Sequence, residues 1–152
     1  MGRMVRVMAA VAMMVVLSTG AAFAATLGGT AAGDALRGTN GADTIRGGGG
    51  GDILRGMSGD DKLHGDGGSD GLYGGAGDDH MYGGAGDDRF EDRSVYGGSG
   101  SDNLYSGPGN DFIFSVGDGA DDYVDCGDGY DTVQKGSDQN LDRFVGCEKF
   151  VG

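Results

Sequence analysis

Proline and basic residues are scarce in this sequence, and each shortage excludes a class of protein. One proline and a glycine period other than three exclude a collagen triple helix, although 36 of the 152 residues are glycine. Only 11 basic residues accompany 24 acidic ones, and the net charge of −13 disfavours nucleic acid and anionic membranes as partners. No G-K-[ST] sequence is present, so the glycine richness does not indicate a phosphate loop.

A targeting segment is predicted at the N-terminus, in residues 1–24. Arg3 and Arg6 precede the apolar run Met8–Leu17, which is short for a membrane span. The small residues Ala22 and Ala24 then fit a cleavage site, so we expect a signal peptide that ends at Ala24 and a secreted, extracellular product with no membrane association after cleavage. Cleavage would remove two arginines and no acidic residue, and the net charge would become −15.

Most of the remaining chain repeats every nine residues. Residues 47–91 read GGGGGDILR, GMSGDDKLH, GDGGSDGLY, GGAGDDHMY and GGAGDDRFE, and each block fits the template Gly-Gly-x-Gly-x-Asp-x-apolar-x. Weaker blocks lie on both sides, which gives about eleven in residues 25–134. The sixth position is always aspartate: Asp34, Asp43, Asp52, Asp61, Asp70, Asp79, Asp88, Asp102, Asp111, Asp122 and Asp131. The eighth is always apolar: Leu36, Ile45, Leu54, Leu63, Leu72, Met81, Phe90, Leu104, Ile113, Val124 and Val133.

This template resembles the calcium-binding nonapeptide repeat of RTX (hemolysin-type) proteins. The resemblance implies an all-β fold, a parallel β-roll (a right-handed β-solenoid) in which two blocks form one coil. Alternate blocks would then place Asp34, Asp52, Asp70 and Asp88 on one face, with Asp43, Asp61 and Asp79 on the other. Several calcium ions (Ca2+) would bind between successive turns of each face, with the eleven sixth-position aspartates as metal ligands.

The chemistry of the template agrees with this expectation. Glycine permits a tight turn with inward carbonyl groups, and calcium binds six to eight oxygens from carboxylates and carbonyls. One apolar side chain in nine residues makes a thin core against the entropic cost of ordering the chain. We therefore expect calcium to supply much of the folding free energy.

The nine-residue period is broken at two places. The five extra residues Asp92–Tyr96 are expected to form a loop that interrupts the calcium ladder, and a two-residue slip follows at Ser115–Val116. The tail, residues 135–152, has no obvious repeat but is rich in apolar residues, as the capping segment of a solenoid should be. A disulfide between Cys126 and Cys147 would tie this C-terminal cap to the last block in an oxidising compartment.

Several residues at variable positions of the blocks have expected roles of their own. His64 and His80 are expected to face solvent without a catalytic role, and Arg37, Arg46 and Arg55 to form a solubilising strip. Tyr73, Tyr82 and Tyr105 share the ninth position, where stacking between coils is the expected role. The chain has no room for a catalytic domain beside the repeats, so we expect no enzyme activity.

The function that these features favour is calcium binding by a secreted repeat protein with a structural or calcium-responsive role. The alternative is a calcium-dependent adhesin that binds a glycan or protein partner through the tyrosines and the inserted loop.

Overall fold

The computed structural model of the chain describes residues 23–93, 100–116, 120–135 and 142–151, and its regular elements there are all strands. Nearly all of the predicted signal peptide lies outside these residues. In the described part, no helix has the length and apolar character that crossing a membrane would require. The strands are β1 (Thr26–Gly28), β2 (Ala35–Arg37), β3 (Thr44–Gly49), β4 (Ile53–Ser58), β5 (Lys62–Gly67), β6 (Gly71–Ala76), β7 (His80–Ala85), β8 (Arg89–Arg93), β9 (Asn103–Tyr105), β10 (Phe112–Val116), β11 (Tyr123–Asp125), β12 (Thr132–Lys135), β13 (Arg143–Val145) and β14 (Lys149–Val151).

The strands form two parallel sheets of seven strands each. One sheet has the order β1-β3-β5-β7-β9-β11-β13, and the other β14-β12-β10-β8-β6-β4-β2. Each strand therefore pairs with the strand two places away in the chain, one coil up or down. The predicted all-β parallel solenoid, with two blocks to a coil, is confirmed.

The apolar eighth positions of the blocks form the core between the sheets. Leu54 pairs with Leu72 on one sheet, and Ile45 with Leu63 on the other. Because side chains alternate across a strand, one inward residue per block is enough to build this column. All but one of the eleven are buried, and Leu36, in the first block, packs against the others.

The middle strands are longer than the three residues that the template predicts. Strands β3 to β7 span six residues each, from the seventh position of one block to the third of the next. Each of these glycines has its equivalent one coil away, so the backbone can continue pairing past the apolar residue. An example is the pairing of Gly49 with Gly67.

The prediction that the insertion interrupts the calcium ladder was wrong, because the coils stay paired across it. Asp92 and Arg93 prolong β8 and pair with Ser115 and Val116 of β10. The two-residue slip in the later coil thus supplies partners for the first residues of the insertion. The rest of the predicted loop, residues 94–96, lies outside the described residues.

The C-terminal tail adds one more strand to each sheet. Strand β13 pairs with β11, and β14 pairs with β12. The predicted disulfide between Cys126 and Cys147 is present, with the Cys126 side chain in the core. The tail is thus a further, shorter coil of the solenoid that is covalently bound to the one before it.

Candidate metal centre

The sixth-position aspartates form two ladders, one on each side of the solenoid. In each rung, one carboxylate oxygen (Oδ1) accepts a hydrogen bond from the backbone N–H of the corresponding aspartate in the preceding coil. The Asp43 nitrogen lies 2.7 Å from Asp61 Oδ1, and the Asp52 nitrogen lies 2.8 Å from Asp70 Oδ1. The first ladder contains Asp34, Asp52, Asp70, Asp88, Asp111 and Asp131, and the second contains Asp43, Asp61, Asp79, Asp102 and Asp122. The predicted division of the aspartates between two faces agrees with this arrangement.

Both ladders continue across the insertion. The Asp79 nitrogen donates to Asp102 and the Asp88 nitrogen donates to Asp111, both at 2.7 Å and with 23 rather than 18 residues between the partners. The stack of turns therefore stays in register, and the extra residues are accommodated elsewhere in the coil.

Two acidic residues that the sequence reasoning missed complete the ladders. The Asp131 nitrogen lies 3.0 Å from a Glu148 carboxylate oxygen, and the Asp122 nitrogen 3.3 Å from Asp142 Oδ1. The signal was present in the tail, where Asp142 and Glu148 each begin an acidic-x-apolar-x sequence that ends in a strand. Most of the template's glycines are absent before them, which concealed it.

The second carboxylate oxygen (Oδ2), here called the inner oxygen, points into the turn of its own block. In the middle turns it is buried and accepts no hydrogen bond from the described residues, as at Asp52, Asp61, Asp70 and Asp88. Asp131, in the C-terminal coils, has the same arrangement. A buried carboxylate oxygen without a donor is costly, because its lost hydration is not replaced. Such an oxygen is suited to a cation.

A carbonyl oxygen of the next coil faces the same space. A methyl group on Gly47 would lie within 3.0 Å of both the Asp52 inner oxygen and the Gly65 carbonyl oxygen. The same pair of oxygens, from two successive coils, surrounds the first-position glycines Gly38, Gly56, Gly65 and Gly83. Only glycine leaves this space open, and the mixture of carboxylate and carbonyl oxygens is the one that calcium prefers.

The electrostatics of the turns also favour a cation. Burial raises the pKa of Asp61 to about 6, and the charges of Asp43 and Asp60 add to the rise. Burial likewise raises the pKa of Asp88 to about 7, with the neighbouring carboxylates Asp111, Asp70 and Asp87 contributing. Burial raises the pKa of Asp70, Asp111 and Asp131 as well. A bound cation would compensate for both the desolvation and the mutual repulsion.

Side chains alone do not complete a site. Within the described residues, no three His, Cys, Asp or Glu side chains converge on one point. A calcium ion between two coils would therefore be bound largely by backbone carbonyl oxygens, with the aspartates supplying the charge. The eleven aspartates remain the predicted ligands of this chain.

The ninth-position residues lie on the outer faces of the sheets. His64, Tyr82, Tyr105 and the seventh-position Tyr123 form an aromatic ladder: the His64 and Tyr82 rings stack at 4.7 Å, and the Tyr82 and Tyr105 rings at 5.1 Å. His64 is half-buried by this stacking rather than fully solvent-facing, and burial lowers its pKa. On the other sheet, the Arg55 guanidinium lies 5.0 Å from the centre of the Tyr73 ring.

Comparison with known families agrees with the geometry. A model of the RTX calcium-binding nonapeptide repeat matches the chain four times, at residues 28–63, 37–72, 55–90 and 96–133. Comparisons with curated proteins and with solved structures give no match. The four copies cover well over half of the chain and contain all eleven sixth-position aspartates. This chain belongs to the RTX calcium-binding nonapeptide repeat family.

Proposed function

We propose that this chain is an exported protein that binds several calcium ions in the turns of its solenoid and folds when it binds them. Its role would be structural or calcium-responsive: the folded, calcium-loaded solenoid is itself the functional product. The described residues belong to the repeat solenoid and its last coil, and a repeat-only fold of this kind suggests a protein without catalytic activity.

The observation that carries this proposal is the set of buried inner oxygens. Each of Asp52, Asp61, Asp70 and Asp88 places one oxygen in the ladder and leaves the other facing a carbonyl oxygen of the next coil. Without a cation, several such carboxylates would lie one above another in a desolvated turn, which opposes folding.

Calcium supplies the missing positive charge in the folded state, where the turns of two coils are close together. In an extended chain the same oxygens are separated, so binding and folding are coupled. The chain itself provides the backbone pairing, the apolar column and the glycines that keep each turn open. Extracellular calcium sites commonly have dissociation constants of about 10⁻⁴–10⁻³ M, which would keep the chain unfolded in a cytoplasm low in calcium.

The test is far-UV circular dichroism of residues 25–152 with the disulfide intact, titrated with calcium and then with chelator. We expect a reversible transition from coil to β structure near millimolar calcium, with magnesium a poor substitute because it dehydrates reluctantly. A complete β spectrum in metal-free buffer would overturn the proposal.

A matched pair of variants tests whether the ladder aspartates are responsible for the calcium-dependent folding transition. Asp61 is buried in the second ladder, whereas its neighbour Asp60 is exposed, and each carries one negative charge. Asp61→Asn should raise the calcium concentration at the midpoint of folding, and Asp60→Asn should change it little. Equal shifts would mean that overall charge, rather than a defined site, determines calcium binding.

Export is the second part of the proposal, supported by the signal-like sequence of residues 1–24. We expect the protein recovered from the medium of expressing cells to begin at Ala25. N-terminal sequencing checks this, and a mature protein that still begins at Met1 would contradict it.

A calcium-dependent adhesin is the alternative, and the exposed rings of Tyr82 and Tyr130 favour it. The Tyr82 ring, however, has its faces against His64 and Tyr105, and a sugar stacks on the face of a ring rather than its edge. Glycan binding that Tyr82→Ala and Tyr105→Ala abolish while calcium-dependent folding persists would establish the adhesin. Folding without any binding would favour the structural role.

A further inference from the structure

The second position of the block divides the turns into two kinds. In the turns that contain Asp52, Asp61, Asp70 and Asp88, this residue has a left-handed backbone: Gly48 (φ 103°), Met57 (φ 94°), Asp66 (φ 72°) and Gly84 (φ 106°). In the first two turns it is threonine, and neither Thr30 nor Thr39 has a positive φ. The turns thus differ in backbone conformation and not only in sequence.

The inner oxygens follow the same division. The Thr30 nitrogen lies 2.6 Å from the Asp34 inner oxygen, and the Thr30 hydroxyl donates to the same atom at 2.9 Å. The Thr39 nitrogen lies 2.5 Å from the Asp43 inner oxygen, and its hydroxyl lies 3.1 Å away. In both turns, the inner oxygen, which has no donor in the middle turns, accepts a hydrogen bond from the threonine nitrogen and has the threonine hydroxyl within reach.

The threonine hydroxyl also braces the rest of the turn. The Thr30 oxygen accepts a hydrogen bond from the Ala32 nitrogen at 3.2 Å, and the Thr39 oxygen accepts one from the Gly41 nitrogen at 3.1 Å. One side chain therefore connects the second, fourth and sixth positions, which a cation between the coils would otherwise hold together. The inward N–H groups also present the positive ends of their dipoles, which repel a cation.

The strain at two residues indicates which conformation a cation requires. Met57 and Asp66 are not glycines, and a left-handed backbone brings the Cβ atom of such residues too close to the following carbonyl oxygen. Strain of this kind persists where the surrounding structure or a function demands it. Both residues lie in turns with a buried inner oxygen that has no donor.

We propose that Thr30 and Thr39 close the first two turns without calcium, and that the calcium sites begin at the turns of Asp52 and Asp61. Asp34 and Asp43 then act as hydrogen-bond acceptors that seal the N-terminal end of the solenoid, rather than as the metal ligands that the repeat predicts. This inference rests on the proposed calcium binding and decides which turns take part in it.

The predicted cleavage after Ala24 would add a charge to the second of these turns. The Ala25 nitrogen lies 2.5 Å from Asp43 Oδ1. As the first residue of the mature chain, Ala25 would carry a protonated amino group at neutral pH. The protein's own N-terminus would then neutralise Asp43, which removes a further reason for calcium at this position.

The test is the number of calcium ions bound per chain, measured by isothermal titration calorimetry on residues 25–152. Thr39→Gly frees the Asp43 inner oxygen and lets the second position become left-handed, so we expect about one additional ion per chain. Thr39→Ser retains both donors and is the matched control, with an unchanged number of ions.

Two aspartates of the same ladder, one coil apart, give an independent test. Asp61→Asn should remove about one ion, whereas Asp43→Asn should remove none, because an amide oxygen still accepts from Thr39. Equal losses from the two variants, or an unchanged count in a folded Thr39→Gly protein, would overturn the inference. If the unmodified chain binds no calcium at all, the proposed function itself fails.

Discussion

The middle coils (residues 44–93) and the C-terminal coils (the described residues from 100 to 151) extend the same two sheets in different ways. In the middle, most strands have six residues and successive ladder aspartates lie 18 residues apart. In the C-terminal coils the strands have three to five residues, and the spacing changes from 20 to 17. The length of a coil can vary while the turns stay in register.

Side-chain contacts compensate for the shorter strands. The Lys135 ammonium lies 4.9 Å from the centre of the Phe144 ring and 4.2 Å from that of Phe150. The disulfide then joins Cys126 to Cys147 between adjacent coils. An exact repeat is held together by identical pairing in every coil, whereas an irregular one needs specific contacts of its own.

The largest effect of a single substitution is expected in the apolar column of the middle coils. Leu54 is fully buried, whereas its neighbour in β4, Ile53, is 40% exposed. Leu54→Ala should lower the free energy of unfolding of the calcium-loaded protein by about 2–5 kcal/mol. Ile53→Ala, the matched control, should lower it by much less. Urea denaturation in saturating calcium measures both, and similar losses would mean that the column is not the core of the middle coils.

The next largest effect, loss of the disulfide, should destabilise the C-terminal coils but not the middle coils. Loss of the disulfide by Cys126→Ala with Cys147→Ala should destabilise the C-terminal coils by about 3 kcal/mol, from the 21-residue separation in the chain-entropy model. Hydrogen exchange in calcium should show lost protection in β11 to β14 and retained protection in β4 to β6. Uniform loss along the chain would mean that the solenoid unfolds as one cooperative unit.

The sequence was sufficient to predict the middle coils, because there the period, the apolar column and the glycines agree. It also predicted the disulfide, since two cysteines in a chain with a signal-like N-terminus have one simple pairing. The two sides of the ladder followed from the family resemblance, which implies two blocks to a coil, once the blocks were counted. Each of these features depends on local spacing, which a sequence displays directly.

Other features depend on coil-to-coil contacts, which spacing does not display. The pairing of Asp92 and Arg93 with Ser115 and Val116 joins two irregularities that lie 23 residues apart. The continuation of the ladders to Asp142 and Glu148 lacks most of the glycines of the template. The closure of two turns by Thr30 and Thr39 requires the hydrogen-bond geometry, because the template treats the second position as a glycine with occasional substitutions.

A pH titration of the metal-free protein should act first on the middle coils, which contain Asp61 and Asp88. Their pKa values in the folded state, about 6 and about 7, are raised above the ordinary 3.8. The folded state therefore binds protons more tightly than the unfolded state. This contribution to stability is fully present below about pH 4 and is lost as the pH rises through about 6 to 7.

The measurement is circular dichroism of protein freed of metal by chelating resin, from pH 4 to pH 8. We expect more β structure at pH 5 than at pH 8, and a calcium affinity that falls on acidification because protons compete for the same carboxylates. The double variant Asp61→Asn with Asp88→Asn should have a weaker pH dependence. A metal-free protein that gains structure as the pH rises would contradict the direction of these pKa shifts.

The smallest effect is expected from a substitution that gives the middle coils one more glycine at the second position of a block. Met57→Gly replaces a residue with a left-handed backbone by glycine. The equivalent second-position residues Gly48 and Gly75 are already glycines with the same backbone conformation. Relief of about 1–2 kcal/mol of backbone strain is offset by the greater entropy of glycine in the unfolded chain, about 0.5–1 kcal/mol. The net gain in the free energy of unfolding should be about 0.5 kcal/mol.

Ser58→Gly, at the next residue and without a positive φ, has no strain to relieve and should destabilise the protein. Urea midpoints in saturating calcium distinguish the two signs, and a loss of stability from Met57→Gly would show that the methionine side chain, which contacts Arg37 at 3.2 Å, contributes more than its backbone strain costs.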